Sequence, residues 1–212
     1  MNAGLLIMRS GMLTSTIALL RGVWLLRDPE AVRMLGDLRQ SAIEMSKVRA
    51  TYPEAHIHHD VVIQGWSKGK LSLARGVRVE KGSILALGDE LNGYGVLAIG
   101  SNTWVGQYNN FRLSHGTHIS IGSGCLISQF CTLAAANHRL DRSIPLQKSS
   151  CDRGKVNIDI GDDVWLGAGA AIMPSVTIGT GAIVGANSVV TSSIPEYEIW
   201  AGAPAYKIGE RL

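Results

Sequence analysis

The sequence predicts a mainly β protein of stacked parallel coils, entered through helices, and three observations carry that prediction. Aliphatic residues recur at every sixth position at Ile160, Leu166, Ile172, Ile178, Val184 and Val190. Glycine is abundant, 25 in 212 residues, and follows the aliphatic position at Gly161, Gly167, Gly179 and Gly185. Residues 1–55 repeat differently, at the three-and-four spacing of helices.

The composition narrows the class. With 46% hydrophobic and 17% charged residues the chain is neither disordered nor a disulfide scaffold, and its size suits one core with a small appendage. The net charge is only +3 and no Lys/Arg block occurs, so nucleic acid is not an expected partner. Cys125, Cys131 and Cys151 form no CxxC pair, which fits a reducing compartment and a cytoplasmic location. Arg9, Arg21 and Arg27 break up the apolar N-terminus, so no run reaches the roughly 18–20 apolar residues of a membrane span. No basic residue precedes the first apolar run, as a secretory leader would require.

Residues 1–55 read as an N-terminal helical segment. Leu5, Met8, Met12, Leu19, Val23 and Leu26 place one stripe on a helix over residues 3–26. A second helix starts with Asp28 as cap and Pro29 at the first helical position, and Ala31, Leu35, Leu38, Ala42 and Met45 repeat at 4-3-4-3. Such stripes pack against something. The preferred role is to cap the coil and pack between subunits; the alternative is peripheral contact of the basic, apolar residues 1–27 with an anionic membrane surface.

Residues 56–195 carry the six-residue repeat. A unit that turns every six residues closes a triangle after three, with the aliphatic residue inside and the residue four later in a corner, at Val164, Ala170, Val176, Ala182, Ser188 and Ile194. The same phase runs earlier through Ile57 and Ile63, through Leu73, Val79 and Leu85, through Ile99, Val105 and Phe111, and through Ile121, Ile127 and Leu133. About six triangular coils follow. The phase breaks at residues 86–98, 112–120 and 134–159. Those are loops, and the longest is the expected carrier of function. Residues 196–212 read as a C-terminal tail.

On these repeats, residues 57–208 resemble the left-handed β-helix, hexapeptide-repeat acyltransferases. The resemblance implies left-handed coils and a homotrimer whose inter-subunit active sites bind acetyl-CoA in the groove between prisms. His138 stands 17 residues after Ile121 of the Ile121-Gly122 pair, the spacing of the general base in the sugar and streptogramin O-acetyltransferases. Its chemistry suits the role, because an imidazole near neutrality can take the proton of an attacking hydroxyl without a covalent intermediate. His115, in His115-Gly116-Thr117-His118-Ile119-Ser120-Ile121-Gly122, resembles the serine acetyltransferase segment whose first histidine is the base. The Gly-Gly-Asp-Arg-His-Pro stretch of that branch is replaced by Ala135-Ala136-Asn137-His138-Arg139-Leu140, so His115 is the second choice, as base or pocket-lining group.

Asn110, in Asn110-Phe111-Arg112-Leu113, resembles the family's acceptor-binding asparagine, with a corner-turning asparagine as the alternative. Asp141 is a second substrate-side candidate that could hold His138 in one tautomer, or an ordinary loop carboxylate. Asp163-Val164-Trp165-Leu166-Gly167-Ala168 resembles the family's D/N-V-W-I-G-x motif. There Trp165 and Gly167 lie along the pantetheine arm and the Ala168 N–H can steady the thioester oxygen. Gly185, Ala186 and Thr191 match further cofactor contacts. The ending Ala201-Gly202-Ala203-Pro204-Ala205-Tyr206-Lys207-Ile208 resembles A-G-x-P-A-K-x-I with Tyr206 at its first basic position. Lys207 and Arg211 remain candidate phosphate contacts, with a solvated tail as the alternative.

Cys125 and Cys131 occupy corner positions of successive units and read as small core residues. The zinc-binding carbonic anhydrases of the same prism space their ligands differently from His115, His118 and His138, and no ligand set closes among His56, His58 and His59, so no metal is expected. The expected activity is acetyl-CoA-dependent O-acetylation of a saccharide hydroxyl, on a surface polysaccharide or its lipid-linked precursor. The alternatives are a serine acetyltransferase-like activity, N-acetylation of a nucleotide-linked amino sugar, and a trimeric scaffold without activity.

Overall fold

The computed structural model describes residue 22 and residues 27–66, 70–91 and 93–212. The helix expected over residues 3–26 lies outside the described residues apart from Gly22. The chain divides into two units, Met1–Lys47 and Val48–Leu212.

Helix α1, Pro29–Thr51, begins as the sequence dictates. Asp28 Oδ1 accepts the Glu30 N–H at 2.8 Å, and the Asp28 carbonyl accepts the first helical bond from Val32 at 3.0 Å. Leu35 and Leu38, on the stripe expected to be covered, are 51% and 65% exposed. The last turn belongs to the second unit. There Val48 is buried, Arg49 Nη2 donates to the Ile57 carbonyl at 2.7 Å, and the Tyr52 hydroxyl donates to the Leu71 carbonyl.

From His56 the chain coils into a three-faced parallel β-prism, the stacked coil expected from the repeat and the left-handed β-helix that the resemblance implies. The first face holds eight strands, the second six and the third five. Three inward columns of six form the core. They are Ile57, Val79, Val105, Ile127, Leu166 and Val184 on the first face; Ile63, Leu85, Phe111, Leu133, Ile172 and Val190 on the second; and Leu73, Ile99, Ile121, Ile160, Ile178 and Ile194 on the third. Every one is buried, and along the strands they stack in register, for example Leu85, Phe111, Leu133, Ile172 and Val190. Each coil thus repeats the same inward positions, which is why the spacing is legible in the sequence. The glycine after the aliphatic residue has a steric cause. A Cβ at Gly122 would lie 2.5 Å from the Gly161 backbone of the next coil, so only glycine allows that approach.

The excursions share one corner, between the second and third faces. Residues 87–95 follow Ile84–Ala86, residues 113–117 follow Asn110–Arg112, and residues 135–157 follow Thr132–Ala134. The chain returns each time to the third face, at Val96–Ile99, His118–Ile121 and Ile158–Ile160. The longest excursion is ordered: Ala136–His138 pairs antiparallel with Cys151–Val156, and a 3-10 turn spans Leu146–Lys148.

Residues 196–212, expected as a tail, instead complete the first face. Glu198–Gly202 pairs parallel with Ile183–Val184, and Ala205–Glu210 folds back antiparallel. The six-residue period stops at this return, so nothing periodic announces it.

Candidate functional site

The longest excursion fixes the His138 ring. His138 ends one strand of its hairpin opposite Cys151, and its Nδ1 lies 3.1 Å from the Ser149 carbonyl. A carbonyl only accepts, so the Nδ1 carries the hydrogen and the neutral ring keeps its lone pair on Nε2. Ser149 is itself anchored: it is buried, and its hydroxyl donates to the Arg139 carbonyl at 2.9 Å. Asp141 has a different occupation. Its Oδ1 accepts the Ser143 N–H at 2.9 Å and the Ser143 hydroxyl at 2.7 Å, and these bonds hold its carboxyl below the usual range. The tautomer-holding role considered for Asp141 therefore falls to the Ser149 carbonyl, because the turn that places Asp141 also satisfies it.

His115 lies in the middle excursion and is packed over Gly93, where a Cβ would come within 2.6 Å of its own. It lines a cavity of about 810 Å³ together with Glu90, Ser114, Arg139, Cys151 and Asp152. All three excursions contribute to that cavity. His118 turns elsewhere, with Nε2 2.9 Å from Asp159 Oδ1.

Asn110 and its neighbour divide two tasks. Asn109 is buried and turns the corner: its Nδ2 donates to the Gly106 carbonyl at 2.8 Å and its Oδ1 accepts the Cys131 N–H at 2.8 Å. The Asn110 side chain is thus released from the corner role, and its Oδ1 is buried without a hydrogen-bond partner among the described residues.

The motif around Trp165 lies on the first face and the corner between the first and second. Trp165 is 48% exposed and its indole N–H donates to Ser128 Oγ at 3.2 Å. Gly167 stacks on the next coil, since a Cβ there would meet the Ala186 nitrogen at 2.5 Å. The Gly185 N–H bonds the Trp200 carbonyl at 2.8 Å. Among the described residues no acceptor takes the Ala168 N–H, although its carbonyl accepts from Asn187 at 2.8 Å. Ala186 and Thr191 are exposed on the following coil.

The two candidate phosphate cations are engaged within the chain. Lys207 Nζ donates to Glu198 Oε1 at 2.8 Å and also pairs with Glu210. These carboxylates raise the Lys207 pKa, and Lys207 in turn lowers that of Glu198. Arg211 Nη1 donates to Asp163 Oδ2 at 2.8 Å. Folding the C-terminal ribbon onto the first face brings these partners in from 48 residues away in the Arg211 case.

Cys125 and Cys131 are buried in the corners, and burial pushes the Cys131 thiol up to about 11. The His58, His59 and Asp60 ligand atoms lie within 4.8 Å of one another, a group that does not include His56 of the three histidines weighed in the sequence. The chain turns there rather than alternating as a strand, and Asp60 Oδ1 already lies 3.1 Å from His59 Nε2.

Comparison with known proteins agrees with this architecture. The family described as bacterial transferase hexapeptide (six repeats) matches residues 157–192. The chain is 38% identical over 113 residues to a probable macrolide acetyltransferase of Lysinibacillus sphaericus, covering 43% of this chain and 63% of that protein. It is 34% identical over 115 residues to the galactoside O-acetyltransferase of Escherichia coli K12, covering 52% of this chain and 55% of that protein. It thus spans less than two thirds of these curated relatives. A solved structure of AntD, an N-acyltransferase from Bacillus cereus in complex with dTDP and 3-hydroxybutyryl-CoA, superimposes with a TM-score of 0.60 at 25% identity, covering 75% of this chain and 81% of that one. The repeats over residues 157–192 match that family's model, and the coil they help to build is a left-handed β-helix.

Proposed function

We propose that the protein is an acetyl-CoA-dependent O-acetyltransferase that acts on a saccharide hydroxyl, of a surface polysaccharide or its lipid-linked precursor. The observation that carries the proposal is the tautomer of His138: an Nδ1–H tied to a main-chain carbonyl leaves Nε2 free to accept the proton of an attacking hydroxyl. The hydroxyl oxygen bonds to the acetyl carbon, the C–S bond breaks, and the CoA sulfur leaves. The released proton passes to His138 and from it to the departing sulfur.

The other residues take supporting roles. Asn110 orients the acceptor through its side-chain amide. The uncommitted Ala168 N–H faces the thioester oxygen as charge develops there. Trp165, Gly167, Gly185, Ala186 and Thr191 form the surface for the pantetheine arm. Lys207 and Arg211 are left out as phosphate contacts, because each would have to release a carboxylate first.

The same proposal requires more than one copy. His138 lies beyond the corner between the second and third faces, whereas Ala168 and Trp165 belong to the first face and its corner with the second. The width of the second face, Cys131 to Ala135, separates those corners by about 13 Å at roughly 3.3 Å per residue. One chain therefore supplies the base and a neighbour supplies the donor surface, in a cyclic homotrimer with sites between subunits.

Isothermal titration with acetyl-CoA and with CoA tests the class without knowledge of the acceptor. Binding near one site per chain is the expected result. Absence of heat at several temperatures together with no thermal shift would overturn the transferase reading in favour of a scaffold.

A further inference from the structure

We infer that His58, His59 and Asp60 form a binding site for a divalent transition-metal ion of the zinc, nickel or copper type, which stiffens the turn at the open end of the prism. The site is separate from the transfer chemistry. It lies on the first coil, and Ala168 stands on the same corner about 19 Å away, four coils on at roughly 4.8 Å each.

The backbone brings the three side chains to one side. In a strand, His58 and His59 would face opposite ways, but here the chain leaves His56–Ile57 of the first face and turns toward Val62–Gln64 of the second. The Val61 N–H closes that turn on the His58 carbonyl at 3.2 Å. The two imidazoles therefore lie together, with ring centroids 4.2 Å apart and planes tilted by 31°. The Asp60 carboxylate reaches both: Oδ1 is 3.1 Å from His59 Nε2 and Oδ2 is 3.9 Å from His58 Nδ1. Among the described residues this is the one group of three such side chains whose ligand atoms all come within 4.8 Å of one another.

Those separations fit a metal. A tetrahedral ion with bonds of about 2.0–2.1 Å holds its ligand atoms roughly 3.3–3.4 Å apart, and the separations of 3.1 and 3.9 Å bracket that value. Small side-chain rotations therefore close the set. Two imidazoles and one carboxylate select zinc, nickel or copper over magnesium or calcium, which take oxygen shells. Entry of the ion displaces little. His59 and Asp60 are exposed, where an ion pair is weak, and the Asp60 N–H that His58 Nδ1 accepts at 3.2 Å can turn to water. Glu80 of the next coil stays outside the set, because its Oε1 already accepts from Arg78 and from the Trp104 indole N–H, each at 3.2 Å. Water completes the shell. The place in the fold gives the ion its effect: His56–Ile57 is the edge strand of the first face, paired with Arg78–Val79 of the following coil, so the turn that leaves it has no preceding coil to stack on.

Isothermal titration of the tag-free, EDTA-dialysed protein with zinc chloride tests this, with magnesium chloride as the oxygen-seeking control. Wild type, His58→Ala, His59→Ala and His56→Ala are compared, metal-free melting temperatures are recorded for each, and copper(II) EPR counts the coordinated nitrogens. Zinc should bind at one site per chain in wild type and in His56→Ala. Binding should weaken at least about tenfold in His58→Ala and in His59→Ala, since even outer-shell changes at metal sites cost that much. Copper should show two nitrogen donors in wild type and one in either of those variants. At a zinc concentration about 100 times the dissociation constant the melting temperature should rise by about 5 °C. Three results would each overturn the inference: no heat with zinc; zinc binding unchanged in both His58→Ala and His59→Ala; or magnesium binding as tightly as zinc. Acetyl-CoA titration with and without zinc keeps the two readings apart. Equal acetyl-CoA binding upholds the separateness of the metal site, and zinc binding without any acetyl-CoA heat upholds the site and overturns only the transferase reading.

Discussion

A base is useful only if its lone pair is free, and at His138 a single main-chain carbonyl decides which nitrogen that is. Replacing His138 with Ala removes the acceptor but leaves the first-face surface intact. The expected outcome is a loss of about 10²–10⁴ in kcat, the usual worth of general-base catalysis, with acetyl-CoA affinity unchanged by titration. The thiols make a second case at this scale. Burial holds Cys131 neutral at pH 8, with its pKa at about 11, whereas Cys151 is half-exposed. Iodoacetamide at pH 8 should therefore label native Cys151 well before Cys131, read by peptide mass spectrometry. Equal rates would show that the corner opens in the native state.

Each coil is held by its contact with the next, so a change at a corner is felt between coils. A methyl group at Gly122 would meet the Gly161 backbone and Asp162 Oδ1, both at 2.5 Å, and no side chain can move aside to relieve the backbone contact. Gly122→Ala should cost about 1–3 kcal/mol through overpacking, measured by urea unfolding. Phe111 fills the second-face column with no exposure. Phe111→Ala should cost about 3–5 kcal/mol and, by loosening the coil from which residues 113–117 leave, also weaken acceptor binding.

At the scale of the whole molecule, the proposed function predicts that activity depends on assembly, because the second face separates His138 from Ala168. A co-refolded equal mixture of His138→Ala and Trp165→Ala chains should regain activity at sub-saturating acetyl-CoA, because roughly a quarter of the interfaces join an intact base to an intact donor surface. Activity no greater than that of the two variants separately would place both groups in one chain. Sedimentation of the wild type should show a trimer.

The fold was legible in the sequence because the interior of a prism repeats the same three positions at every coil. Ile160, Leu166 and Ile172 are spaced by geometry, and a polar residue at such a position has no water to reach. His138 was legible for a related reason: it stands at a fixed distance from Ile121, on the way into the longest break in the phase. Ser114, Arg139 and Asp152 were not singled out, although a signal existed. The three breaks follow Leu85, Phe111 and Leu133, which are stacked residues of one column, so their loops had to leave at one corner.

By itself, then, the sequence determined the periodic core, the glycines that let coils approach, and the place where the chain leaves the prism. Only the tertiary structure decided which groups are already satisfied. Asp141 belongs to Ser143, Arg211 to Asp163 and Lys207 to Glu198, while Ser114 Oγ and Asn110 Oδ1 have no partner among the described residues. The reason is physical: periodicity follows from burial along one chain direction, whereas hydrogen-bond partners come from segments that only folding brings together.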